Sequence, residues 1–286
     1  MSGQSIWDKL QRVDRRVFYW ILFICLTVPF LHPLALPVTI TTSTQAYYDE
    51  LAKIQPGEAV VLSINSGVSA WGDCLPGMVA SVHQVFAQNG KIIVWSIGYV
   101  DCDITWNKIK EKLPQDFSVK KEGVDYVYFG YTTGQETNVA LLRDDIRKVY
   151  TQDINGTPID QIPMMKNING AAQIRLVMSS DTGDAQGYYV RQWKNGSVNY
   201  KGTGAPPKVA ELGIAMNKSG DMPFFLSGDL FGLVAGSRGA AELEKLVGLA
   251  GDATITMDSI SVSHLVLILV IILTNIGMLA TRGKKK

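Results

Sequence analysis

The chain has 286 residues, 47% of them hydrophobic and 19% charged, with a net charge of +1. This excludes a disordered chain, a collagen and a coiled coil, and the near-zero charge excludes a chain-wide nucleic-acid footprint. Three cysteines and three histidines exclude a disulfide-dense scaffold and a His-rich zinc site.

Residues 1–16 form a basic tail with Lys9, Arg12, Arg15 and Arg16. Residues 17–38, VFYWILFICLTVPFLHPLALPV, carry no formal charge. About 20 apolar residues cross a hydrocarbon core, so the run predicts an N-terminal transmembrane helix. It is longer than a signal-peptide core and lacks a small-x-small cleavage site. Pro29, Pro33 and Pro37 each remove a backbone donor, which predicts a kinked outer half or a stop near Leu31.

The central segment, 39–259, alternates helix and strand signals. Ser43 or Thr44 caps a helix through TQAYYDELAKI, stopped at Pro56-Gly57. AVVLSIN (59–65) reads as a buried strand, followed by the loop SGVSAWGDCL. Pro76 opens a helix with Met78, Val79, Val82, Val85 and Phe86 at helical spacing, ending at Asn89-Gly90. Further strands are expected at 91–100, 125–131, 173–179 and, more weakly, 197–200. Helices are expected after Asp103 up to Pro114 and over 135–149. Continuous apolar strands between amphipathic helices indicate a mostly parallel sheet covered on both faces. The expected class is therefore α/β, Rossmann-like or flavodoxin-like.

Residues 224–247 are helical in composition but contain Gly228, Gly232 and Gly236, spaced four apart. On one helix this makes a flat ridge, a candidate oligomer interface, with helix-on-sheet packing as the alternative. The polar end, Glu242, Glu244 and Lys245, argues against a third span. Residues 260–280 are again uncharged and predict the C-terminal transmembrane helix, with His264 and Asn275 as polar positions expected to meet a partner helix or an interfacial water. The tail 281–286 carries Arg282, Lys284, Lys285 and Lys286.

Basic flanks outside both spans place both termini in the cytoplasm and 39–259 on the other side. Eight of the 27 basic and two of the 26 acidic residues lie outside that segment, which leaves it a net charge of −5. Such a domain is repelled by anionic lipid.

Ligands of open α/β sheets sit beyond the C-terminal strand ends. The candidate cleft there comprises Ser66, Trp71, Asp73, Gly98, Asp101 and Asp181. No G-x-G-x-x-G or GxxxxGK[ST] occurs, so no cofactor is assigned. Asp73, Asp101, Asp103, Asp181 and Asp184 could gather around Mg²⁺ or Ca²⁺, but caps and turns explain them better, and no metal is assigned. His83 sits mid-helix between apolar positions, and no G-x-S-x-G accompanies it. Cys74 and Cys102 follow adjacent strands, which leaves a disulfide and two free thiols equally open. Asn155, Asn195 and Asn217 are glycosylation sequons in turn-like stretches.

The stretches YYDELAKIQPGEAVVLS, GTPIDQIPMMK, LSGDLFGLVAGSRGAAELEKLVG and MDSISVSHLVLILVIILTNIG together resemble an uncharacterised prokaryotic membrane-protein family. The resemblance implies two spans around an α/β domain and a prokaryotic source, with no activity and no functional residues to transfer. The expected function is a non-enzymatic structural or assembly subunit of a membrane complex, homo-oligomeric or with other subunits. The alternatives are a ligand-binding or sensory accessory subunit and, last, a metal-dependent membrane hydrolase.

Overall fold

A computed structural model describes residues 14–194, 210–216 and 218–282. Its elements, in chain order, are α1 (Arg15–Leu31), α2 (Thr42–Ala52), β1 (Ala59–Asn65), α3 (Trp71–Ala87), β2 (Lys91–Ser96), α4 (Cys102–Lys112), α5 (Pro114–Val119) and β3 (Tyr126–Tyr131). They continue with α6 (Gln135–Asp144), β4 (Ile174–Asp181), α7 (Ala185–Tyr189), β5 (Ala210–Ala215), α8 (Lys218–Leu226), β6 (Gly232–Ala235), α9 (Gly236–Val247) and α10 (Asp252–Arg282). The backbone divides into two compact units, residues 38–253 and residues 1–37 with 254–286.

The first unit, 38–253, is an α/β sandwich. Six strands run parallel in the order β3-β2-β1-β4-β5-β6, the Rossmann-like rather than the flavodoxin-like arrangement. All seven residues of β1 are buried, as expected of a central strand covered on both faces. One core packs Val61, Ile93, Trp95, Val127, Phe129 and Val177 of the sheet against Val139 and Leu142 of α6 and Tyr189 of α7. Elsewhere α3 lies on β5 and β6, where a Cβ on Gly77 would come within 3.1 Å of Ile214 and 3.3 Å of Val234. The α3 and α9 helices pack on each other.

Several sequence expectations shift. The helix expected to open at Pro76 starts at Trp71. Pro76 cannot donate to the carbonyl of Gly72, and the Ser237 hydroxyl takes that acceptor at 3.2 Å, so the proline is accommodated in the helix. The strand expected over 91–100 ends at Ser96, whose hydroxyl accepts from the Tyr99 N–H at 3.0 Å and turns the chain. The helix expected over 135–149 ends at Asp144. Asp145 is extended, and its carboxylate accepts the Arg147 N–H at 2.9 Å. The weak strand at 197–200 lies outside the described residues; the fifth and sixth strands are β5 and β6.

The 224–247 helix and its glycine ridge are replaced by the end of α8, a turn, β6 and α9. Gly228 and Gly236 adopt left-handed φ values of 74° and 64°, which break a helix and favour glycine. Gly232 opens β6 directly beneath the Tyr47 backbone, where a Cβ would collide. The glycines therefore serve a strand crossing inside the domain. Glu242 and Glu244, read as a polar end, are 0% and 1% exposed.

Most of α10 belongs to the second unit, and its first 29 residues, Asp252–Ala280, are long and apolar enough to cross a membrane. The expected N-terminal span is helical only over the 17 residues of α1, with Pro29 inside it and the helix ended at His32. That is about 26 Å at 1.5 Å per residue, short of a full hydrocarbon core. The helices are tied together where Ser259 Oγ donates to the Leu26 carbonyl at 3.2 Å. The Asp258 carboxylate is 2% exposed and accepts the consecutive N–H groups of Leu34, Ala35 and Leu36 at 2.8–2.9 Å. This satisfies backbone donors that a helix would have satisfied internally.

Candidate functional site

The strand order reverses direction between β1 and β4, so the ligand crevice of this fold opens beyond Asn65 and Asp181. The protein fills much of it with its own side chains. Asn65 Nδ2 donates to Ser63 Oγ at 2.8 Å and to Ser179 Oγ at 3.2 Å, while its Oδ1 accepts the Ile97 N–H at 3.0 Å. One step outward, the Ser66 hydroxyl is fully buried and hydrogen-bonds Ser180 Oγ and the Cys74 thiol. Above them Tyr99 OH meets Thr182 Oγ1 at 2.5 Å, linking the loops after β2 and β4.

The predicted cleft residues divide accordingly. Ser66 and Asp181 lie in the crevice. Gly98 is exposed on the turn after β2. Trp71 turns its indole N–H to Thr105 Oγ1 at 3.0 Å. Asp73, in the first turn of α3, accepts from Ser237 Oγ at 2.8 Å and Ser237 N–H at 3.2 Å. Asp101 Oδ2 accepts the Val68 N–H at 3.0 Å, in the turn between β1 and α3. A dinucleotide phosphate would use that same turn and helix end. Two native carboxylates, Asp73 and Asp101, occupy that position.

The remaining acidic residues also have local partners. Asp103 accepts from Tyr128 OH, and Asp184 pairs with Arg191 at 3.2 Å. Among the described residues no three His, Cys, Asp or Glu side chains converge on a metal position.

An open pocket of about 80 Å³ remains one strand along, beyond β4 and β5, lined by Asp181, Thr182, Gly183, Ala215, Gly220 and Asp221, among others. Asp181 is 4% exposed. Its oxygens accept the N–H groups of Gly183 at 2.7 Å and Gln186 at 3.1 Å, although burial still raises its pKa. Asp221 is 9% exposed and has no hydrogen bond among the described residues. Burial, followed by the charges of Asp181 and Asp184, pushes its pKa up to about 7. Burial thus raises both carboxyls, and only Asp181 has backbone donors that partly offset the effect. Sequence reasoning missed Asp221, whose only signal was a short apolar run, ELGIAM, followed by NKSGD; Tyr99, Ser180 and Thr182 lie in the strand-end stretches GYVDCD and SSDTGD, which belong to the expected cleft without being singled out there.

Other singled-out residues are placed as follows. No bridge joins Cys74 and Cys102; both are free, buried thiols. Cys102 lies 3.0 Å from Tyr128 OH. Burial pushes the Cys74 thiol up to about 12 and the Cys102 thiol up to about 11. His83 Nδ1 pairs with Asp116 at 2.7 Å on the half-buried side of α3. Asn155 is exposed and donates to Glu122 at 3.0 Å; Asn195 and Asn217 lie outside the described residues. His264 and Asn275 are exposed on α10.

No known protein family matches the chain, and no curated protein matches it.

Proposed function

We propose that the chain is a non-enzymatic, membrane-anchored structural subunit of a homo-oligomeric membrane complex. In this reading α1 and α10 both enter the bilayer, both tails are cytoplasmic and the α/β domain is extracytoplasmic. The observation that carries it is the surface of α10. Leu265, Leu267, Ile268, Leu269, Ile271 and Ile272 are 47–59% exposed, a stripe that water disfavours and lipid or another helix accepts. The basic residues flanking the two segments support the orientation.

Assembly is supported by polar groups rather than by the glycine ridge, which the fold dissolves. His264 and Asn275 are both exposed, and neither has a hydrogen-bond partner among the described residues. They lie eleven positions apart, about three helical turns, so they share one face of α10. In hydrocarbon an unpartnered imidazole and amide are costly, and a neighbouring helix supplies partners. The occupied strand ends favour a structural role over catalysis.

The test is the mass of full-length protein in mild detergent by light scattering. Wild type is expected as an oligomer and His264→Leu/Asn275→Leu as a smaller species with unchanged circular dichroism. A monomeric wild type, or a double variant of unchanged mass, overturns the assembly reading.

A further inference from the structure

We propose that the Asp181–Asp221 pocket is a binding site for a compact cation, a divalent metal ion or a primary ammonium group. The site goes beyond the structural role and does not depend on it.

Two features point to a ligand. The first is the pairing of carboxylates at the strand edge. Asp181 is fixed in place by the Gly183 and Gln186 N–H groups and lines the pocket wall with Asp221. The second is Asp221 itself, 9% exposed with no hydrogen bond among the described residues. Its carboxylate meets solvent only through the pocket it lines, and a largely buried carboxylate without a protein donor carries a desolvation cost that a bound cation offsets. Its neighbours add negative charge rather than remove it. Asp184, the third acidic group nearby, is already paired with Arg191, which leaves Asp181 and Asp221 to share one counter-charge.

The pocket has the shape for such a guest. Gly183 and Gly220 leave its rim without side chains, and a Cβ on Gly220 would meet nothing within 4 Å. Its volume of about 80 Å³ admits an ion with a water or two, or an ammonium head group, and excludes a nucleotide. The charged and hydroxyl groups on its wall are oxygen, Asp181, Asp221 and Thr182, with the Met216 side chain beside them. The paired carboxylates suit hard cations and N–H⁺ donors.

The experiment uses full-length protein in detergent at pH 8 and matched ionic strength. Calcium chloride, methylammonium chloride and, as a bulky control, choline chloride are added separately. The thermal midpoint of wild type is expected to rise by about 3 °C or more with calcium or with methylammonium, and not with choline. Asp221→Asn, which keeps the shape and removes the charge, is expected to start with a higher midpoint than wild type and to show no response. A response to calcium alone identifies a metal site, and a response to methylammonium alone an amine site. Calorimetric titration of wild type gives a reading that needs no variant, with saturation expected at one cation per chain. Equal shifts in wild type and variant, or no saturable heat with either cation, overturn the proposal.

Discussion

Gly232 is the residue whose role changes most between sequence and structure. On a helix it would cost about 1 kcal/mol relative to alanine and serve only a partner. At the start of β6 it lets the Tyr47 backbone cross directly above it. Gly232→Ala is therefore expected to destabilise the domain by about 1–3 kcal/mol, the range of core overpacking, seen as a lower thermal midpoint. Oligomer size should stay unchanged at temperatures where the variant is folded. The thiols give a second residue-scale prediction. Cys74 and Cys102 are buried and their pKa values raised, so alkylating reagent at pH 7–8 should modify neither until the domain unfolds, as read by intact mass. Asp221 gives a third. Its folded pKa, about 7, exceeds the usual carboxyl value near 4, so the native state holds an extra proton between those limits. Stability then falls as pH rises from about 4 to 7 and levels off above. The charges of Asp181 and Asp184 both act on Asp221, and the raised pKa of Asp181 acts in the same direction. Asp221→Asn should flatten that part of the midpoint–pH curve.

Elements were readable where one periodic signal dominated. β1, β3 and β4 announce themselves by uninterrupted apolar runs, and α4 by its position between Asp103 and Pro114. Failures came where tertiary partners override local signals. Pro76 reads as a helix start because the sequence does not show Ser237 waiting for the Gly72 carbonyl. The 224–247 stretch reads as a helix because its glycines look like a face. Only the strand crossing over Tyr47, from 185 residues earlier, reveals them as two left-handed corners and a contact. The acidic pocket was half legible: Asp181 follows a recognisable strand, whereas Asp221 is brought there by a β5–α8 unit with little signature. Glu242 shows how a long-range partner fixes an element. Fully buried, it accepts the Thr41 N–H at 2.9 Å and Thr41 Oγ1 at 2.7 Å, tying α9 to the N-terminus of α2, and also accepts from Arg238 at 3.1 Å. Glu242→Ala strands these donors and should cost about 2–4 kcal/mol, whereas Glu242→Gln, which keeps an acceptor, should cost less. Urea denaturation of both variants measures the difference.

The whole molecule rests on which elements enter the bilayer. α10 has the length to span alone, whereas α1 has 17 residues and continues into a non-helical stretch whose N–H groups at 34–36 are held by Asp258. A two-pass anchor requires both to cross, which puts both tails on one side. Impermeant maleimide labelling of intact cells decides this directly, with single cysteines introduced as Ser2→Cys, Lys286→Cys or Ile154→Cys in chains whose Cys25 is replaced by Ser. Cys74 and Cys102 stay silent because they are buried, and Ile154 is 52% exposed on the domain. The account predicts labelling of Ile154→Cys in intact cells and of both tail variants only after permeabilisation. Labelling of either tail in intact cells, or protection of Ile154→Cys, would contradict it.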